Sequence, residues 1–121
     1  MKVGTTLPEF GTKATKENVI RLARMAEEEH FDSLWVNERL LRPLNPRTPA
    51  KSPDGNLLTY YQNVLDPLEI LTFAAANTDK VSLGTSVIDM LFHNPIILAR
   101  RFATLDAVDD LYSTARYRLE T

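Results

Sequence analysis

The stretch Leu83–Pro95, LGTSVIDMLFHNP, decides how the rest of the chain is read. Its first half carries the β-branched residues that suit a pleated strand. It closes on Asn94-Pro95, an N-cap residue followed by a proline whose missing N–H costs nothing at the first helical position. A strand therefore runs into a helix over a short connection. Leu98, Phe102 and Leu105 then fall on one helical face.

The same rhythm appears upstream. Lys2 to Leu7 reads as a short strand ended by Pro8. Thr15 is an N-cap with Glu17 in the first turn, and Val19, Leu22, Ala23 and Ala26 follow at helical spacing, with Ile20 widening the stripe. Glu27, Glu28 and Glu29 sit at the end disfavoured by the helix dipole, which predicts fraying near His30. Ser33 to Val36 reads as a second strand. Asp66 caps the next helix, Pro67 starts it, and Glu69 three residues on resembles a capping box. Leu68, Ile70, Leu71, Phe73 and Ala74 to Ala76 make that helix apolar on most sides, so it is expected to be well buried, and Phe73 and Trp35 are expected in the core. Asn77 to Lys80 turns the chain into a third strand, Val81 to Ile88. Between strand two and this helix, Asn37 to Leu65 is interrupted by Pro43, Pro46, Pro49 and Pro53 and holds an Asp54-Gly55 turn signal. A connection of that length suits a lid or binding loop.

Three strands alternating with three helices predict an α/β fold with a parallel sheet, the N-terminal portion of a (β/α)8 TIM barrel. A full barrel takes about 250 residues, so the 121 here supply about three of the eight units. The inner sheet face and two strand edges would then stand open, which predicts self-association through those edges or poor solubility. The composition, 44% hydrophobic and 25% charged, is that of a soluble globular domain, and a net charge of −2 gives no reason to invoke nucleic acid or an anionic membrane. No apolar run reaches membrane-span length, and MKVGTTLPEF lacks the apolar core of a leader. With no cysteine there is neither a disulfide framework nor a thiolate metal site, which fits a cytoplasmic location. Neither a GxGxxG nor a P-loop signature is present. The partner expected is a small-molecule substrate.

The candidate functional residues cluster at strand ends. Glu38 and Arg39 follow strand two: Glu38 could orient substrate or accept a proton, and Arg39 could bind an anion, or both could be solvated charges. Thr85 and Ser86 could hydrogen-bond a ring edge or simply be strand residues. Asn94 could help hold an anion at the helix start or only cap it. Of the two histidines, His93 lies on the side of the strand ends and is a candidate acid–base group; His30 ends a charged helix on the opposite side. Two separated histidines make a poor metal site.

LGTSVIDMLFHNP followed by IILARRFATLD, with SLWVNERLLRPLNPRTP, SPDG and LDPLEILTFAAANT upstream, resembles the luciferase-like monooxygenases. These enzymes use flavin or deazaflavin on a (β/α)8 barrel, and the phrases look most like the branch that uses coenzyme F420. The resemblance covers Met1 to Asp106. It implies F420 as cofactor, with FMN as the alternative, and hydride transfer or oxygen insertion on a small organic substrate. It implies a cofactor pocket bordered by Asn37 and formed by Glu38, Arg39, Thr85, Ser86, Val87 and Asn94, with Glu38 and His93 as catalytic candidates. It further implies a bulge in the third strand, often with a non-proline cis peptide, here Ser86–Val87. After Asp106 the family pattern continues with a glycine-rich turn, whereas this chain reads AVDDLYSTARYRLET with no glycine after Gly84. Residues 107–121 form an atypical tail, consistent with a frameshift, a premature stop, a truncated gene, or a genuine ending in which Ala107 to Leu119 continue as helix. The alternative to an oxidoreductase is a non-catalytic fragment or a self-associating interaction module.

Overall fold

The computed structural model describes residues 1–41 and 59–110. Strand β1 is Gly4–Thr6, helix α1 Lys16–Glu28, β2 Ser33–Asn37, α2 Pro67–Ala75, β3 Ser82–Val87 and α3 Pro95–Asp110; short 3-10 turns lie at Gly11–Lys13, Thr59–Gln62 and Met90–Phe92. The three strands form one parallel sheet in the order β1-β2-β3, as the alternation predicts. Most of the 37–65 connection and the tail beyond 110 lie outside the described residues, as do the Asp54-Gly55 turn and the helical continuation to Leu119.

Period-2 alternation in β2 sets the layers. Leu34 and Val36 are fully buried, while Trp35 between them stays 38% exposed. The buried side packs beneath the helices: Val19, Ala23 and Ala26 of α1, Leu68, Leu71, Ala74 and Ala75 of α2, and Leu98 and Leu105 of α3 form one core with Leu34, Val36 and Leu83. Phe102 packs against its margin. Trp35 and Phe73 are thus not core residues. Trp35 occupies the open sheet face with its indole N–H on Ser33 Oγ at 2.8 Å, and Phe73 lies on the exposed side of α2. The indole lies over glycines of both flanking strands. A Cβ on Gly4 would come 2.7 Å from its Nε1, and one on Gly84 2.7 Å from its Cζ3.

The helix ends follow their caps, with two corrections. Thr15 Oγ1 accepts from the Asn18 N–H at 3.2 Å, and Asp66 Oδ1 from the Leu68 N–H at 3.1 Å. Glu69, however, reaches Arg101 at 2.5 Å, tying α2 to α3. Burial works to raise the Asp66 carboxyl, but hydrogen bonds from Glu69 and the Leu68 N–H and the Arg101 charge hold it below the usual range; the bond to Asp66, and then burial, lift Glu69 above it. The second correction is at α1, which ends cleanly. His30 adopts the left-handed conformation (φ 62°), Phe31 N–H bonds the Ala26 carbonyl at 2.8 Å and His30 N–H the Glu27 carbonyl at 3.1 Å, a Schellman closure. The Glu27 carboxylate, rather than opposing the dipole unpaired, accepts the N–H groups of Asp79, Lys80 and Val81 at 2.8, 2.5 and 3.1 Å.

A clasp joins the ends of β1 and β2 to the chain entering α2. Gly11 N–H bonds the Asn63 carbonyl at 2.7 Å, Leu65 N–H the Glu9 carbonyl at 2.9 Å, and Phe10 bridges to Val64. The Arg39 guanidinium lies 4.1 Å over the Tyr61 ring, which meets Phe10 edge-on at 5.7 Å.

Two substitutions probe these contacts. Gly84→Ala should force the indole off the sheet, lower stability by about 1–3 kcal/mol and red-shift the emission of the single tryptophan in urea titrations. Glu27→Ala should cost about 1–2 kcal/mol by releasing three backbone donors, read as a lower urea midpoint with an unchanged slope.

Candidate functional site

The site forms where β2 and β3 end. Their register runs Trp35↔Gly84, Val36↔Thr85, then Asn37↔Val87. Ser86 is therefore an extra residue on β3, a bulge that re-aims the strand at its C-terminal end. The bulge expected of the third strand is present. The expected cis bond is not: no described peptide bond is cis, so Ser86–Val87 is trans.

Beyond the bulge, Glu38 N–H bonds the Val87 carbonyl at 2.9 Å, so residue 38 stays on the β3 ladder. Its carboxylate turns inward. Oε2 accepts the Asp89 N–H at 2.7 Å, and His93 Nε2 lies 2.7 Å from Oε1 and 2.9 Å from Oε2. The Glu38 side chain is only 4% exposed, that of His93 18%. A carboxylate in its ionised form only accepts hydrogen bonds, so opposite that form the hydrogen of this contact belongs to His93 Nε2. The two residues singled out as acid–base candidates are therefore one unit. Glu38 is the more buried of the two and His93 the more exposed.

The other strand-end residues take different positions. Ser86 lines an open cavity of about 520 Å³ on the exposed sheet face, with Gly4, Thr5, Thr6 and Trp35. Thr85 is half-buried, and Val87 is exposed beside the bulge. Arg39 stacks on Tyr61, and its Nε is buried without a hydrogen-bond partner among the described residues. Asn94 Oδ1 accepts from Ile96 and Ile97 N–H at 3.0 and 3.2 Å, so its side chain itself takes up two first-turn donors. His30 lies exposed at the far end of the sheet. Among the described residues, no group of acidic or histidine side chains could hold a metal ion, and no helix is long and apolar enough to cross a membrane.

Two members of this region were not singled out from the sequence. Tyr61 falls in the long connection, where no periodicity marks it. Glu9, just past β1, is 1% exposed. Its Oε1 accepts the Asn37 backbone N–H at 2.5 Å and the Asn37 Nδ2 at 3.1 Å, while Oε2 is buried and has no partner among the described residues. Burial pushes this carboxyl above the ordinary glutamate value, and the two bonds from Asn37 pull against that. The signal available in the sequence was position alone: a carboxylate right after a strand that ends at Pro8.

Known proteins are similar to this chain in sequence and fold. An uncharacterised protein of Mycobacterium tuberculosis is 37% identical over 90 residues, which are 69% of this chain and 30% of that protein. The F420-dependent glucose-6-phosphate dehydrogenase of Kineococcus radiotolerans is 32% identical over 102 residues, 79% of this chain and 26% of that protein. The chain thus spans less than a third of the length of these relatives. Among solved structures, the oxygenating constituent of 3,6-diketocamphane monooxygenase from Pseudomonas putida, a type II Baeyer–Villiger enzyme in complex with FMN, superposes with a TM-score of 0.67 at 16% identity, over 95% of this chain and 28% of that one. The family signature of the luciferase-like monooxygenases matches residues 1–110, and the chain belongs to that family.

Proposed function

We propose that this chain supplies the first three βα units of a flavin- or deazaflavin-dependent oxidoreductase acting on a small organic substrate, with F420 as cofactor and FMN as the alternative. The observation that carries the reading is the Glu38–His93 pair, held at the end of β2 and over the β3 bulge. Kinship to an F420-dependent dehydrogenase favours F420; the FMN complex of the Baeyer–Villiger enzyme is what keeps FMN in view. The residues present suit a flat ring with polar edges. The cavity is lined by the Trp35 indole, by Gly4 and by the hydroxyl-bearing Thr5, Thr6 and Ser86, and Thr85 precedes Ser86 on the same strand. Glu38, Arg39, Thr85, Ser86, Val87 and Asn94 are the residues proposed to border the cofactor.

When bound, a deazaflavin ring takes up a hydride. The chain's own residues would then handle the proton. With an alcohol substrate, His93 would accept the hydroxyl proton, and the buried Glu38 carboxylate would fix the ring and stabilise the resulting imidazolium. Arg39 offers a cation to an anionic group of substrate or cofactor. The absence of cysteine supports a cytoplasmic place of work.

A second reading is favoured by one observation: within the described sheet, β1 and β3 each have one unpaired edge, and Trp35 is exposed on the open face. In that reading the chain is a non-catalytic module that associates with itself through those edges.

The deciding experiment is a titration of the 121-residue chain with F420 and, separately, FMN, alongside sedimentation. Saturable micromolar binding of F420 is the expected result. No binding up to millimolar, with a stable oligomer, would favour the second reading. With F420 and glucose 6-phosphate as the first substrate tried, His93→Ala should lower turnover by about 10²–10⁴-fold with little change in F420 affinity. Equal loss of affinity would assign His93 to binding instead.

A further inference from the structure

Glu9 has no part in the chemistry above, yet it is built into the same end of the sheet. Both hydrogen bonds of its carboxylate come from one residue, Asn37, through backbone and side chain. Asn37 is where the β2–β3 register slips. The direction of the backbone after the slip is therefore held by Glu9. The next residue is Glu38, which grips Asp89 and His93. One peptide bond separates the Glu9–Asn37 contact from the Glu38–His93 contact.

The second observation is the buried Oε2, which has no hydrogen-bond partner among the described residues. A buried carboxylate with one oxygen lacking a partner is costly when ionised, and it gains or loses a proton where an exposed one would not. The two states hold Asn37 differently, because N–H bonds to a charged carboxylate are about twice as strong as those to a neutral one.

We propose that Glu9 is a positioning residue of this site, whose protonation state sets the Asn37–Glu38 backbone and through it the Glu38–His93 pair. The inference rests on the reading that places the reacting ligand at that pair, but its test needs no cofactor. Burial places the Glu9 transition above the ordinary glutamate range. The groups that could confuse it are few. On the β2 side, Glu38 is turned to His93 and Arg39 lies over Tyr61 of the segment that enters α2. From that segment Leu65 gives Glu9 only a backbone N–H, and Lys13, after β1, is exposed.

The test is an NMR pH titration of the 121-residue chain. It follows the Glu9 carboxyl carbon, the Asn37 and Asp89 amides and the ring nitrogens of both histidines. The expected result is one shared inflection in Glu9, Asn37, Asp89 and His93, absent from His30 at the far end of the sheet. Glu9→Gln, which cannot titrate, should abolish that inflection. An inflection confined to Glu9 and Asn37 would overturn the proposal and leave Glu9 a structural residue. So would a shared inflection that survives Glu9→Gln. If Glu9→Gln fails to fold, the wild-type titration decides alone. Failure of the chain to bind F420 or FMN would remove the proposed function without touching this result.

Discussion

Leu34 and Val36 point the same way from β2, and both are completely dry. In a strand the side chains alternate, so a shift of one residue would bring Trp35 under the helices and turn both aliphatic residues out. The volume beneath α1 and α2 is filled by alanines and branched aliphatics and has no room for an indole. This packing fixes which face of the sheet is open. It places Trp35 across Gly4 and Gly84 and leaves Ser86 at the rim of the same face. The site is thus a consequence of what the core excludes.

Much of this was legible in the sequence because the determinants are local. Asp66-Pro67 and Asn94-Pro95 mark helix starts by their capping chemistry, and Ser33 to Val36 and Val81 to Ile88 mark strands by branched side chains. What was misread depended on contacts distant in sequence. Glu27 looks misplaced until the turn 79–81, some fifty residues on, delivers its N–H groups to it. His30 looks like a fraying end because a left-handed histidine has no signature comparable to glycine. Trp35 looks like core because hydrophobicity does not say which face of a sheet is covered. The family resemblance supplied what periodicity could not: the bulge on β3. It also suggested a cis peptide that this chain does not have.

The candidate site shows a division of labour that residue type alone would not assign. A carboxylate after a strand is easily taken as the proton acceptor. Here it is the more buried partner, hydrogen-bonded to an imidazole and a backbone N–H. The histidine contributed by the loop after β3 is the more exposed of the two. Both partners lie on the β-strand exits, where the sheet gives rigidity and the connections give variation.

The clasp around Tyr61 has a consequence of another kind. Arg39 on Tyr61, Gly11 on Asn63 and Phe10 on Val64 bring the two ends of residues 42–58 together using side chains and backbone outside that stretch. The entropy of bringing the ends together is therefore met by contacts that do not depend on what lies between. Doubling the length of a flexible connection costs only about 0.6 kcal/mol of closure free energy. The closure cost of the connection between Leu41 and Thr59 therefore depends only weakly on its length.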